Sequence, residues 1–194
     1  MFDEFFKRFP SVEKLAEADE EAIKSIIGRL GLSKRARFLK ETATKIVRDF
    51  KGIIPDDYRL LELKGVGMYT ANAVLCFAYG KRVPIVDSNI ARLLRRYFGL
   101  RGEKPAYADK DLWQLANVVM PDEEVREFNY GLLDIAAEYC RPIPLCDECP
   151  LRKECEHAKQ KKRKTIPMNP RPLETSVFHT EAYIVRSSHL KITR

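Results

Sequence analysis

Apolar positions recur at helical spacing along almost the whole chain. "DEEAIKSIIGRL" sets Ile23, Ile26, Ile27 and Leu30 on one face behind Asp19, a candidate N-cap, and Gly31 stops the segment. "SKRARFLKETATKIVRDF" follows, with Ala36, Leu39, Ala43, Ile46, Val47 and Phe50 on one side, and Gly52 and Pro55 make a turn. "DDYRLLEL" reads as a short helix, "GVG" as a tight turn, and residues 68–78 as the next helix. "GKRVPIV" is a loop ending at Asp87. "SNIARLLRRYFG" turns Ile90, Leu93, Leu94 and Tyr97 inward and stops at Gly99. "DKDLWQLANVVM" runs to Pro121, and "EEVREFNYGLLDIAAEYC" runs straight into Cys140. No strand-like alternation precedes the tail, so the pattern predicts an all-α fold.

The end of the chain reads differently. "KQKKRKTIPMNPRP" is basic and then proline-bearing, as a linker is. "SVFHTEAYIVR" has strand-like character, but too few residues follow it to build a domain. The organisation read from the sequence is a helical domain over 1–122, a second over 123–160, and a basic linker and tail of unknown role over 161–194.

Composition narrows the partners. The chain has 194 residues, 45% of them hydrophobic, enough for a sizeable core. No apolar run approaches the ~20 residues of a membrane span. Acidic residues follow Met1 where a secretory leader would be basic, so an intracellular, nucleoid-associated location is expected, with no membrane partner. The net charge of +7 favours an anionic partner, nucleic acid first among them, although a solvated basic surface gives the same balance.

In "LKGVGMYTANAVL" Gly65 and Gly67 permit φ > 0 and close backbone approach. A turn of this kind before a helix leaves N–H donors pointing outward, at the positive end of the helix dipole, beside Lys64. Val66 plugs the bend into its own helices. Such a bend grips a DNA strand without reading its sequence; an ordinary αα-turn has the same letters. Asp87 falls at a helix start, where an aspartate is a favoured N-cap. Capping and catalysis are compatible roles, and the helix dipole favours a carboxylate there.

Four of the five cysteines, Cys140, Cys146, Cys149 and Cys155, share the segment "CRPIPLCDECPLRKEC". Cys76 stands alone in an apolar run and reads as a buried small hydrophobe. Disulfides do not suit an intracellular protein. The spacing C-x5-C-x2-C-x5-C leaves a [4Fe–4S] cluster and a zinc ion both open.

"ELKGVGMYTANAVLCFAYGKRVPIVDSNIARLLRRYFG" resembles the helix-hairpin-helix and Gly/Pro-Asp region of the endonuclease III superfamily of DNA glycosylases. The resemblance covers roughly residues 1–155 and is strongest to the mismatch-specific thymine glycosylases, then to the adenine glycosylases. Lys64 stands where the family hairpin, L-P-G-V-G, has proline. The resemblance implies a helical barrel domain with the hairpin at about 56–78, an iron–sulfur domain over 123–160, and a DNA groove between them. It implies that Asp87 is the catalytic carboxylate beside the sugar, and that Lys64, Gly65, Val66 and Gly67 hold the strand. Tyr69 matches the tyrosine of the thymine glycosylases, where nicking members have a Schiff-base lysine. The expected activity is therefore monofunctional: hydrolysis of the N-glycosidic bond of a flipped thymine or uracil opposite guanine. Adenine excision opposite oxidised guanine and a non-catalytic DNA-binding module are the alternatives.

The resemblance also assigns the four cysteines to a structural [4Fe–4S] cluster, with Arg141, Arg152 and Lys153 on DNA phosphates. The family's first cysteine interval is x6, and here it is x5. Relatives have further helices before the segment matching "MFDEFFKRFP", bearing a loop that fills the gap left by the flipped base and, in adenine glycosylases, a general-acid glutamate. The expectation is a truncated chain, a part supplied by another chain, or a protein that works differently; its partner is double-stranded DNA with a mismatched or damaged base, and it is otherwise expected to be a monomer.

Overall fold

The computed structural model describes residues 2–102 and 104–164. The linker and strand-like readings from 165 onward lie outside the described residues. Those described are all-helical, without strands. They fall into two compact units that divide between Leu75 and Cys76.

The first unit holds α1 (Phe2–Arg8), α2 (Val12–Glu17), α3 (Glu20–Ile27), α4 (Arg35–Phe50) and α5 (Met68–Ala73). Ser11 caps α2, its side chain accepting from the Lys14 N–H. The apolar stripe of α3 supplies Ile23, Ile26 and Ile27 to a core with Phe9 and Ala36, and α2 and α3 both pack on α4. Two expectations fail here. Leu30 is 60% exposed: the chain tightens into a 3-10 turn over Gly28–Leu30, which rotates it off the apolar face. Asp19 occupies the N-cap position of α3, but its side chain makes no capping bond. Gly31 ends the segment at φ 73°, as its position suggested.

The second unit is built around α6 (Ser88–Phe98), with α7 (Lys110–Val119), α8 (Val125–Glu138) and α9 (Glu156–Lys164) all packed against it. Ile90, Leu93 and Leu94 of α6 meet Leu112 and Ala116 of α7 and Leu132, Ile135 and Ala136 of α8. A buried side chain of this size is worth about 1.5–3 kcal/mol, so α6 owes its place to this stripe more than to propensity. Gly99 closes it in the left-handed conformation.

Asp109 ties α7 to α6. Its carboxylate accepts from the Leu112 N–H at 3.2 Å, capping α7, and from Arg95 Nη2 at 2.6 Å. The Arg95 guanidinium holds that carboxyl below its ordinary range. A depressed carboxyl stabilises above its unfolded-state value, and the contribution is lost as pH falls through the folded one. Asp109→Asn keeps the cap and removes the ion pair. At pH 7 it is expected to lose about 1 kcal/mol, a difference that closes as the solution is acidified. Urea unfolding from pH 7 down to pH ~2.5 reads this, and a gap constant with pH would exclude the ion pair as its source.

Candidate functional site

The hairpin is seated by side chains of its own unit. Residues Tyr58–Glu62 form a 3-10 turn, not the α-helix expected of "DDYRLLEL", with Asp57 capping it through the Arg59 N–H. Leu60 and Leu63 are buried beneath it. The Thr42 hydroxyl on α4 donates to the Lys64 carbonyl at 2.9 Å. Gly65 has φ 75°, and a Cβ there would stand 3.0 Å from Phe38 Cδ2, so both its conformation and its neighbour demand glycine. Gly67 differs from expectation: its φ is −98°, which any residue adopts. Its missing Cβ would meet no atom within 4 Å. Gly67 thus leaves open space at the head of α5.

Lys64 is exposed, its Nζ 5.8 Å from the centre of the Phe38 ring. Val66 is half-buried, and its N–H donates to the Leu63 carbonyl. Tyr69 lies on the first turn of α5, 41% exposed. The helix expected over 68–78 changes character at Val74, where a π-helical turn, Val74–Ala78, replaces the last α turn. Cys76 is buried, as read from its apolar surroundings.

In the second unit a non-helical segment leads from Val83 to Asp87, whose own backbone is extended. Asp87 caps α6: Oδ1 accepts from the Asn89 N–H at 2.9 Å and the Ile90 N–H at 2.7 Å. Oδ2 accepts from Asn89 Nδ2 at 3.1 Å. A carboxylate has about four lone-pair sites, so three are occupied and one remains on Oδ2. The residue is half-buried and its orientation is fixed at both oxygens.

The partners of Asp87 are themselves held. Arg92 Nη2 donates to Asn89 Oδ1 at 3.0 Å, and its Nε donates to the Cys140 carbonyl at 2.7 Å. One turn later Arg96 donates to the carbonyls of Arg141 and Pro142 at 2.6 and 2.9 Å and approaches Cys140 Sγ at 3.7 Å. The Cys155 thiol reaches back to the Arg96 carbonyl at 3.6 Å. One polar face of α6 therefore runs from the carboxylate to the cysteine loop.

That loop brings the four cysteines together. All are half-buried. Burial pushes the Cys149 and Cys155 thiols up, and the charges of the neighbouring cysteines push them further. Cys149 feels each of the other three. Among the described residues, however, no three His, Cys, Asp or Glu side chains converge on a point that would hold a single metal ion. Arg141 and Lys153 are exposed. Arg152 turns to its own loop, donating to the Asp147 carbonyl at 3.2 Å with its carboxylate 3.5 Å away.

Tyr69 and the hairpin belong to one unit, and Asp87 and the cysteines to the other. Sequence reading missed Asn89, Arg92, Arg96, Phe38 and Thr42. The i, i+4 spacing of Arg92 and Arg96 was a visible signal. No helix among the described residues is long and apolar enough to cross a membrane.

Comparison with known proteins bears on these elements. Residues 1–117 match the HhH-GPD superfamily of base excision DNA repair proteins. The chain is 38% identical over 160 residues to the thymine/uracil-DNA glycosylase of Methanothermobacter thermautotrophicus, covering 81% of this chain and 72% of that protein. It is 41% identical over 157 residues to the thymine/uracil-DNA glycosylase of Pyrobaculum aerophilum, covering 78% and 68%. The structure of a thermostable thymine-DNA glycosylase superposes with a TM-score of 0.76 at 38% identity, over 82% of this chain and 75% of that one. With hairpin, capping aspartate and all-helical fold in place, the chain belongs to the HhH-GPD superfamily of base excision DNA repair proteins.

Proposed function

We propose that this protein is a monofunctional DNA glycosylase that hydrolyses the N-glycosidic bond of thymine or uracil opposite guanine in duplex DNA. The observation that carries this reading is the Asp87 carboxylate: it is fixed by three hydrogen bonds yet keeps a lone-pair site on Oδ2. Breaking the bond passes through an oxocarbenium-like sugar. A fixed carboxylate stabilises that charge, and the remaining site on Oδ2 suits an attacking water, oriented or deprotonated there. A mismatched base leaves the stack at lower cost, which favours its extrusion. The likeness to thymine/uracil-DNA glycosylases supports the choice of base.

Tyr69 would line the pocket of the extruded base from the exposed first turn of α5. It has no amine for a Schiff base, which supports hydrolysis without strand cleavage. The hairpin would hold a phosphate at the opening left by Gly67, with Lys64 adding charge. Arg141 and Lys153 would add phosphate contacts; Arg152, engaged with Asp147, is the weakest candidate.

Cys140, Cys146, Cys149 and Cys155 would hold a [4Fe–4S] cluster. Four half-buried cysteines within one short segment are the ligand set that such a centre takes. When bound, such a centre would cross-link the loop; the hydrolytic carboxylate lies apart from it, at the head of α6.

Three experiments test this. Duplexes with one G·T, G·U or oxidised G·A pair are incubated and then treated with alkali. Cleavage at G·T and G·U is expected, and only after alkali; Asp87→Asn, which still caps, should bind normally and turn over at least ~100-fold more slowly. Cleavage of the adenine duplex alone would overturn the choice of base, and nicking without alkali would overturn the monofunctional assignment. Aerobically purified protein should be brown and absorb near ~400 nm, a band that Cys146→Ser removes; a colourless protein with one zinc per chain would refute the cluster. Finally, Gly65→Ala should destabilise by about 1–3 kcal/mol, from its left-handed φ and the Phe38 contact. Gly67→Ala should cost under ~1 kcal/mol but weaken duplex binding. Unaltered binding would remove Gly67 from the interface.

A further inference from the structure

Asn129 is 1% exposed, in the middle of the apolar face of α8. A primary amide buried this deeply must answer for its desolvation with hydrogen bonds. Its Nδ2 reaches the Val125 carbonyl at 3.1 Å, one turn back on its own helix, and the Val83 carbonyl at 3.4 Å. Cys76 Sγ at 3.4 Å and Met120 Sδ at 3.9 Å complete its donor side. Its Oδ1 accepts from the Ile85 N–H at 3.4 Å. The amide thus serves residues 83 and 85 together, taking up a C=O and an N–H two residues apart on one loop. Pro84 between them has no N–H to offer. Two residues past Ile85 stands Asp87.

The same helix fixes the start of this loop. Arg126 Nε donates to the Cys76 carbonyl at 3.2 Å, and Nη2 lies 3.4 Å from the Ala78 carbonyl, at the end of the π-helical turn. Arg82 secures the loop against α7, donating to the Met120 and Pro121 carbonyls at 2.7 and 3.1 Å. Ile85 and Val86 are buried, but apolar burial tolerates a slide that an amide pair does not. Asn129 therefore holds two backbone groups of the segment that leads to Asp87.

We propose that Asn129 is a positioning residue for the Asp87 carboxylate: by fixing Val83 and Ile85 it sets where that carboxylate stands at the head of α6. The inference rests on the proposed glycosylase reading. Asn129 touches no reacting atom, so its loss should slow chemistry while leaving DNA affinity intact. A displacement of about 1 Å in such a group costs on the order of 100-fold.

The test compares the full-length wild type, Asn129→Leu and Asp109→Asn, the last a control that loosens the same unit away from the loop. Thermal melts choose a temperature at which all three are folded. Affinity for a G·T duplex and single-turnover excision are then measured with each. Asn129→Leu should bind within twofold of wild type and excise roughly 100-fold more slowly, while Asp109→Asn excises at the wild-type rate. If Asn129→Leu does not fold, Asn129→Ser, too short to span both backbone groups, carries the same expectation. Excision by the Asn129 variant at the rate of the Asp109 control overturns the proposal, as does a loss of affinity that accounts for the whole loss of rate. A wild type that excises no base from G·T or G·U sinks the glycosylase reading, and this inference with it.

Discussion

Two hydrogen bonds to one oxygen of Asp87 decide where α6 begins, and most of the second unit follows from that beginning. A helix start moved by one residue rotates its side chains by about 100°. Ile90, Leu93 and Leu94 would leave the core they share with α7 and α8. Arg92 and Arg96 would leave the carbonyls of the cysteine loop. Packing energy and polar geometry therefore select the same register, as expected of a sequence whose local and global preferences agree.

The first unit solves a similar problem by other means. A bend proposed to approach a ligand cannot be buried, yet it has to be rigid. Its rigidity comes from beneath: Leu60 and Leu63 anchor it in apolar surroundings, Thr42 holds the Lys64 carbonyl, and Phe38 fills the space under Gly65. The two glycines divide the work. Gly65 faces inward and makes the turn possible, and Gly67 faces outward and leaves room. A repeated letter at a spacing of two conceals two different physical reasons.

The helices were legible because their apolar residues recur at a period near 3.6, and so were the stops at Gly31 and Gly99. What was not legible follows from interactions between distant residues. The 3-10 turn that exposes Leu30 and the π-helical turn at Val74 keep helical letters while changing the period. Asn129 is a single polar residue on an apolar face, and its partners are 44 residues away in one case and 53 in another. Arg96 reads as surface charge until the carbonyls it binds are seen. Arg152, read as a phosphate contact, spends its donors on Asp147, since a short loop brings the opposite charge within reach.

The fold gives no reason for a negative charge at position 87. Asparagine caps helices as well as aspartate does, so the start of α6 asks for an acceptor and not for an ion. Among the described residues no formal countercharge is in direct contact: two backbone N–H groups and the Asn89 amide hold the carboxylate, while Arg92 donates to Asn89 and Cys140. An ion pair with Arg92 would have lowered the energy of the resting protein. Under the proposed glycosylase reading it would also have spent the field that a cation forming beside Oδ2 needs. The arrangement keeps the carboxylate oriented and un-neutralised, and a chain selected for stability alone has no use for that.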